Sequence, residues 1–213
     1  MDAKQHWEHI YATKRADEVS WYQRDPRVSF RYIRRTAVDI HAVIVDVGGG
    51  ASTLVDLLLH AGYQHLTVLD LSGAALAQAR ERIGGAANQI RWLEADILEH
   101  TLPRSEIDLW HDRAAFHFLT NPRDRLRYVE QVRSALKPRG HLLIATFAED
   151  GPTRCSGLDV SRYSSKGLQA EFGRDFNLQA GERENHITPA GMHQSFRYCL
   201  FQYMPQAQPQ PAA

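Results

Sequence analysis

Three features are scarce in this 213-residue sequence: cysteine, long apolar runs and an excess of charge of one sign. Two cysteines, Cys155 and Cys199, are too few for a paired-cysteine zinc site, and the eleven histidines show no ligand-type spacing. No apolar run approaches the roughly 18 residues that a membrane-spanning helix needs. The 25 basic and 25 acidic residues leave no basic excess for nucleic acid. We therefore expect no metal, no membrane segment and no nucleic-acid partner.

The polar N-terminus, residues 1–10, lacks the apolar core of a signal peptide, and we therefore expect a cytoplasmic protein. Residues 1–40 predict helical pieces rich in aromatic side chains, which we interpret as an N-terminal lid segment. We expect one domain over residues 1–205 and a disordered, proline-rich tail at 206–213. The sequence does not indicate the oligomeric state.

From Ala42 onward, short β-branched runs alternate with helical spacing, and this order predicts a parallel sheet with right-handed crossovers. Strands are predicted at 42–47, 66–69, 90–95, 107–111 and 141–147, followed by an antiparallel hairpin of 176–184 and 195–203 at the sheet edge. The fold class is therefore α/β, with a Rossmann-like, doubly wound, mostly parallel sheet of seven strands and an antiparallel C-terminal hairpin strand.

The helix before the fifth strand has clear boundary signals. Asn121 and Pro122 are typical of an N-cap and a first helical position, and residues 138–140 predict the end of the helix. Its apolar stripe is predicted to be Leu126, Val129, Val132 and Leu136.

A glycine-rich turn, Asp46-Val47-Gly48-Gly49-Gly50-Ala51-Ser52, stands between the first strand and its helix. Glycines allow a tight turn and let a ligand lie against the backbone without Cβ clashes. The helix that follows offers free N–H groups and a positive dipole end. The turn therefore predicts a ligand site at this end of the sheet.

Two acidic residues extend this candidate site. Asp70 ends the second strand about 20 residues after the turn, where nucleoside-binding folds place an acid for the ribose hydroxyls. Asp96 ends the third strand, where it could accept a hydrogen bond from an adenine amino group while the Ile97 backbone N–H serves a ring nitrogen. These positions predict a nucleoside ligand.

The same turn distinguishes between nucleotides. A dinucleotide fingerprint needs a third glycine for close helix packing, but Thr53 occupies that position. Asp46, beside the turn, would repel a pyrophosphate and could instead bind an ammonium group, directly or through water. The sequence thus favours a nucleoside with a cationic amino-acid tail.

With these motifs in place, residues 40–203 resemble the class I S-adenosylmethionine (SAM)-dependent methyltransferase family. Residues 46–52 resemble its glycine motif, Asp70-Leu71-Ser72 its ribose motif, and Ala95-Asp96-Ile97 its adenine motif. Residues 136–141, Leu-Lys-Pro-Arg-Gly-His, resemble the turn before its fifth strand. The resemblance implies a SAM-binding enzyme whose product is S-adenosylhomocysteine (SAH). The cofactor-binding residues it suggests are Trp21, Asp46, Gly48, Gly49, Gly50, Ser52, Asp70, Leu71, Ser72, Asp96, Ile97 and His111.

Residues 110–115, Trp-His-Asp-Arg-Ala-Ala, look like a segment of the thiopurine-type methyltransferases. Ligands in open α/β sheets bind outside the carboxyl ends of the strands, which puts this segment beside the methyl group. His111 and His117 are candidate bases, because imidazole titrates near physiological pH. Arg113 could bind an anionic substrate or form a salt bridge to Asp112 or Asp150. Together His111, Arg113 and His117 form the candidate catalytic set.

Two further segments are candidate covers. Trp21 could stack on adenine or face a sulfonium by cation–π attraction, or it could pack in the core. The long segment 147–163 is interpreted as a substrate lid. Three functions remain open: methyl transfer to a small soft nucleophile such as a thiol or related chalcogen compound, protein lysine methylation, and non-catalytic SAM binding.

Overall fold

The computed structural model describes residues 2–206. The helices are α1 (Ala3–Thr13), α2 (Arg27–Arg35), α3 (Leu54–His60), α4 (Gly73–Ile83), α5 (Pro122–Ala135) and α6 (Ser165–Phe172). The strands are β1 (Val43–Val47), β2 (His65–Asp70), β3 (Ile90–Glu94), β4 (Ile107–Arg113), β5 (Leu136–Phe147), β6 (Arg154–Cys155), β7 (Leu158–Asp159), β8 (Phe176–Ile187) and β9 (His193–Tyr203). Three short 3₁₀ turns lie at Ala16–Glu18, Gly84–Gln89 and Phe116–Phe118.

The main sheet has seven strands in the order β3-β2-β1-β4-β5-β9-β8. The neighbours from β3 to β5 pair in parallel, whereas β9 runs antiparallel to both β5 and β8. The strand order reverses between β1 and β4, which makes the carboxyl ends of these two strands the topological switch point where such sheets bind ligands. The predicted fold class and the C-terminal hairpin are confirmed.

Hydrophobic side chains cover both faces of this sheet. One cluster packs α2 and α3 on one face through Ile33, Leu54 and Leu58. A second cluster packs α5 and α6 on the other face and includes Val132 and Phe172. Because both faces of the parallel strands are covered, the sequences of these strands are nearly continuous apolar runs.

Local signals in the sequence end and begin these elements as expected. The Ser72 hydroxyl accepts a hydrogen bond from the Ala75 N–H at the start of α4, and the Asn121 side chain does the same for Arg123 at the start of α5. Gly84 follows α4 with φ of +67°, a conformation that favours glycine.

The start of β5 was predicted wrongly. The strand begins at Leu136, not His141, and Ile107 pairs with Leu136 while Leu109 pairs with His141. Because one residue of β4 faces four of β5 at this shift, residues 137–140 bulge out of the ladder and Pro138 needs no hydrogen-bonding N–H.

The apolar stripe of α5 also needs a correction at one position. Val129 and Val132 are buried, but Leu126 is 61% exposed. Helical spacing alone placed Leu126 on the core side. The described core does not cover α5 at this position, so the Leu126 side chain lies on the surface.

Residues 147–163 are not a featureless loop, because β6 and β7 form a small antiparallel hairpin within them. The predicted tail at 206–213 lies outside the described residues except for Gln206. Among the described residues, no helix is both long and apolar enough to cross a membrane.

Candidate functional site

A cavity of about 430 Å³ opens at the carboxyl ends of the parallel strands. Its floor comes from the ends of β1 and β2 and from the loop after β3, and its roof comes from the N-terminal segment and the β6–β7 hairpin. The wall residues used below are Trp7, Tyr11, Trp21, Gly48, Asp70, Leu71, Asp96, Ile97, Arg113, Ala114, Phe118, Tyr128, Cys155 and Leu158.

The glycine turn after β1 forms one edge of this cavity. Gly48 has φ of +67°, and a Cβ on it would lie 2.5 Å from the Ala115 Cβ. A Cβ on Gly49 would lie 2.7 Å from an Asp46 carboxylate oxygen. Both glycines are therefore required by close approach, and the backbone N–H groups of both bond to the Leu69 carbonyl. Gly50, with φ of +42°, lies just behind Asp70.

Asp70 lies at the end of β2 against the cavity and is 9% exposed. Its Oδ1 accepts a hydrogen bond of 2.8 Å from the Ser72 N–H. Burial raises its pKa to about 7, with smaller contributions from Asp46 and Glu8, while hydrogen bonds from the Ser72 and Gly50 N–H groups oppose the shift. This carboxyl group can therefore change its protonation state near neutral pH.

The residues after β3 reach the larger cavity. Asp96 and Ile97 line the cavity, and the Asp96 carboxylate accepts the Leu98 N–H at 2.8 Å. Leu71 also lines the cavity, whereas Ser72 is fully buried as the cap of α4. Of the three residues that resemble the ribose motif, Asp70 and Leu71 thus line the cavity, whereas Ser72 caps α4.

A second, smaller cavity of about 40 Å³ lies beside the glycine turn. Asp46, Gly49, Ser52 and His111 line it, together with Trp21, which lines both cavities. The Ser52 hydroxyl accepts the Leu54 N–H at 3.2 Å and so supports the start of α3.

A buried hydrogen-bonded chain runs beneath the smaller cavity. His111 Nδ1 lies 2.6 Å from Asp46 Oδ1, and His111 Nε2 lies 2.9 Å from the Ser29 hydroxyl on α2. A carboxylate only accepts, so Nδ1 carries the hydrogen of that bond, while Nε2 is engaged with the Ser29 hydroxyl. The second carboxylate oxygen of Asp46, Oδ2, is buried and has no hydrogen-bond partner. That oxygen can accept a hydrogen bond from a bound cation.

Arg113, at the end of β4, contacts neither of the partners that the sequence suggested. Its guanidinium donates to the Tyr198 hydroxyl and the Trp21 carbonyl, both at 2.9 Å, and lies 3.5 Å from Glu184. It also lies 4.1 Å from the centre of the Phe196 ring. Asp112 instead accepts from Tyr128, and Asp150 pairs with Arg183. Arg113 reaches the cavity wall, but its donors are largely used within the protein.

The structure does not bring His117 to either cavity. It lies in the 3₁₀ turn after β4, is fully buried beside Phe147 and Phe118, and its Nδ1 accepts the Phe147 N–H at 3.2 Å. Burial lowers its pKa to about 3, with a smaller contribution from Arg113. The expectation that His117 shares a helical face with Arg113 is wrong, because β4 is extended through Arg113.

The sequence did not indicate the side chains by which α1 is attached to the rest of the fold. The Glu8 carboxylate accepts the Gly73 N–H at 2.5 Å and the Ala74 N–H at 3.3 Å, at the positive end of α4. Gln78 in turn donates to the Tyr11 and Lys14 carbonyls at the end of α1. No local pattern marks such pairs, since the partners are more than 60 residues apart.

A structural pair behind the cavity was also missed. Asp112 is fully buried, and its pKa is raised to about 6 by burial, against hydrogen bonds from Tyr128, Ala115 and Phe116. The Tyr128 hydroxyl donates to Asp112 at 2.5 Å and accepts from the Trp110 indole at 2.9 Å. This network holds the turn after β4 against α5.

Comparison with known proteins agrees with this geometry. Residues 44–140 match the family model described as a methyltransferase domain. The chain is 29% identical over 109 residues to a ubiquinone/menaquinone biosynthesis C-methyltransferase from Roseobacter denitrificans, covering 50% of this chain and 42% of that protein. It is 31% identical over 104 residues to an uncharacterized methyltransferase from Mycobacterium tuberculosis, covering 49% of this chain and 50% of that protein. The chain thus spans about half the length of these relatives or less.

Solved structures extend the likeness to the whole fold. A protein solved in work on the conversion of a disulfide bond into a thioacetal group during echinomycin biosynthesis has a TM-score of 0.74 at 14% identity, covering 95% of this chain and 92% of that one. The N-methyltransferase NodS from Bradyrhizobium japonicum, solved with SAH, has a TM-score of 0.68 at 16% identity, covering 95% of this chain and 99% of that one. The thiopurine-type subgroup finds no support in these comparisons.

Proposed function

We propose that this chain, whose residues 44–140 are a methyltransferase domain within the class I SAM-dependent methyltransferase fold, transfers a methyl group from SAM to a small, soft nucleophile, such as a thiol or related chalcogen compound. The observation that carries the acceptor class is that neither candidate histidine is a free base at the cavity. His111 has both ring nitrogens engaged, and His117 lies outside.

The residues present suit SAM as the cofactor. Asp70, Asp96 and Ile97 line the cavity, and we assign Asp70 to the two ribose hydroxyls and Asp96 and Ile97 to the adenine. The unpartnered Oδ2 of Asp46 lies at the smaller cavity, where it can accept from an ammonium group. When bound, SAM supplies an electrophilic methyl group on a sulfonium.

The protein's own residues align and enclose the reactants. Trp7, Trp21, Phe118 and Leu158 give the cavity apolar walls, which exclude water and position an acceptor. A thiol suits such walls, since its free pKa near 8.5 leaves a few per cent thiolate at neutral pH without help. A lysine, with a pKa near 10.4, must lose a proton first, and neither His111 nor His117 is free at the cavity to take it.

Two further features support a closed site for a small acceptor. The β6–β7 hairpin brings Cys155 and Leu158 to the cavity, and we propose that it is the substrate lid. Cys155 is free, and burial raises the pKa of its thiol, which makes it a poor nucleophile. Since methyl transfer needs no covalent enzyme intermediate, we expect Cys155→Ser to retain substantial activity.

The test is a screen for SAH release with thiols, selenols, carboxylates, amines and cell-extract proteins as acceptors. We expect turnover with small thiols or selenols and none with protein amines. Methylation of a protein band without SAH release from any thiol would instead establish the lysine function. SAM binding without turnover on any acceptor would indicate a non-catalytic module.

A further inference from the structure

The segment that follows the first 3₁₀ turn has no regular structure, yet its backbone is held at several points. We call residues 20–23 the strap. Trp21 in the strap is one of the residues that line both cavities, so it forms part of their shared wall. The indole N–H donates to the Tyr11 hydroxyl at 3.1 Å, which ties the strap to α1. The position of the strap therefore determines the shape of the site.

Three carbonyls of the strap accept hydrogen bonds from side chains of three different elements. His186 on β8 donates to the Ser20 carbonyl at 2.7 Å, and Arg113 on β4 donates to the Trp21 carbonyl at 2.9 Å. Thr53, before α3, donates to the Gln23 carbonyl at 2.8 Å. Carbonyls in an irregular surface segment usually bond to water, so side-chain donors at three positions specify one placement of the backbone.

The donors are themselves fixed in place. The Arg113 guanidinium also bonds the Tyr198 hydroxyl, and its side chain is only 9% exposed. His186 is buried and packs edge-on against Phe196. Glu184, two residues before His186 on β8, lies 3.5 Å from Arg113 and accepts from the Gln23 side chain at 2.7 Å. The strap is thus bound to a rigid part of the sheet.

Thr53 has no other described role. It is the N-cap residue of α3, but its side chain makes no capping hydrogen bond to that helix. It occupies the position where a dinucleotide fingerprint would have glycine, and a glycine there could not donate to the strap.

From these contacts we propose that Thr53, Arg113 and His186 are positioning residues that hold the strap, and that Trp21, placed by them, is a specificity-determining wall between two parts of the site: the smaller cavity for the amino-acid tail of the cofactor and the larger cavity for its nucleoside and the acceptor. Arg113 acts through the Trp21 carbonyl and not as a ligand of an anionic substrate. The assignment of the two parts rests on the proposed function, whereas the hold on the strap does not.

The experiment measures opening of the strap in the ligand-free protein by limited trypsin digestion. Arg24 is exposed and directly follows the strap, so cleavage after it reports local opening. We expect Thr53→Val to speed this cleavage about fivefold, the change expected for an opening equilibrium that loses one hydrogen bond. Thr53→Ser keeps the hydroxyl and should restore resistance.

A matched control is Thr36→Val, which removes a hydroxyl that donates to the Ile33 carbonyl at 2.7 Å and does not contact the strap. This variant should cleave after Arg24 at the rate of the unchanged protein. Arg113→Lys keeps the charge but loses the planar guanidinium with its several donors. This variant should be cleaved as fast as Thr53→Val or faster. Equal cleavage rates in Thr53→Val, Arg113→Lys and the unchanged protein would overturn the proposal.

A second measurement tests the consequence for the site. We expect Thr53→Val to weaken SAH binding measured by calorimetry, while Thr53→Ser and Thr36→Val leave it unchanged. Faster cleavage with unchanged SAH affinity would overturn the role of the strap in shaping the cofactor site. If the unchanged protein binds no SAH, the proposed function fails, but the cleavage rates still decide whether Thr53 and Arg113 hold the strap.

Discussion

At the scale of single residues, the most informative group is the Asp70 carboxyl. Its pKa is raised above the ordinary value of 3.8 to about 7, with burial as the main cause. Ribose hydroxyls donate hydrogen bonds, so a ligand that uses them favours the ionised form. Binding and ionisation of Asp70 are therefore linked.

This linkage predicts a pH dependence for the cofactor product. Below pH 7 the folded protein keeps the proton on Asp70, and binding must displace it, so affinity for SAH should rise with pH. Between pH 6 and pH 8 the gain should be about tenfold, the ratio of the ionised fractions for a pKa near 7. Calorimetry at the two pH values measures it. Asp70→Asn should bind weakly at both, and an equal pH dependence in that variant would assign the proton to another group.

A raised pKa also has a consequence for folding. Between pH 3.8 and about 7 the unfolded chain releases the Asp70 proton while the folded chain retains it. The contribution of this group to the free energy of unfolding therefore falls as pH rises through that window. Asp70→Asn should remove this contribution, as urea unfolding at pH 5 and pH 8 can measure.

Another prediction at this scale concerns His117. Its pKa of about 3 keeps the ring neutral at all physiological pH values, and it contacts no cavity. His117→Gln, which can still accept the Phe147 N–H, should keep turnover within about tenfold, whereas loss of a general base costs roughly 100- to 10,000-fold. Rates of SAH release from pH 5.5 to 8 provide the measurement. A loss in the larger range, with SAH affinity unchanged, would restore His117 as the base.

At the scale of elements, α1 and the strap form the roof of the site without joining the sheet. Removing residues 1–24 takes away Trp7, Tyr11 and Trp21 from the cavity wall. We expect the shortened protein to lose only the contribution of α1 to its far-UV circular dichroism and to lose more than about tenfold in SAH affinity, since burial of one aromatic wall is worth roughly 1.5–3 kcal/mol. A folded, shortened protein with unchanged SAH affinity would contradict the covering role.

The contact between β4 and α5 gives a prediction on stability. Tyr128→Phe removes the hydroxyl that donates to Asp112 and accepts from Trp110. It leaves a buried carboxyl group short of a donor, which should lower the free energy of unfolding by about 1–3 kcal/mol in urea titrations. Tyr203→Phe, at the partly exposed edge, is the matched control and should change it by less than about 0.5 kcal/mol. Equal effects in the two variants would show that the network contributes nothing specific.

At the scale of the whole molecule, ligand binding should be visible as stabilisation. SAH at about 100 times its Kd adds about 2.7 kcal/mol to the folded state, which for a chain of this size raises the thermal midpoint by roughly 5–10 °C. NAD should not do so, because Asp46 with its unpartnered oxygen stands beside the turn where a pyrophosphate would lie. Asp70→Ala should abolish most of the SAH shift. A larger shift with NAD than with SAH would reverse the choice of cofactor.

Much of the molecule could be predicted from sequence because the signals are local. The alternating strand and helix periods, with Ser72 and Asn121 as caps, indicate a parallel α/β sheet, and the glycines after β1 indicate which end of it carries the candidate site. Two predictions from local patterns were wrong because tertiary packing overrode the pattern. Leu126 fits the helical stripe but lies where the described core does not reach, and Pro138 fits a helix end but stands in a strand bulge.

By itself, the sequence determined the fold class and the positions of Gly48, Asp70 and Asp96 at one rim, since these depend on short-range patterns and on strand ends that parallel pairing must bring together. Only the tertiary structure decided what the side chains at the rim do. Arg113 and His111 looked like groups for a substrate, but they bond the strap and the Asp46–Ser29 chain. Their partners come from residues 65 to 92 positions away, and no local pattern specifies a hydrogen bond across that distance.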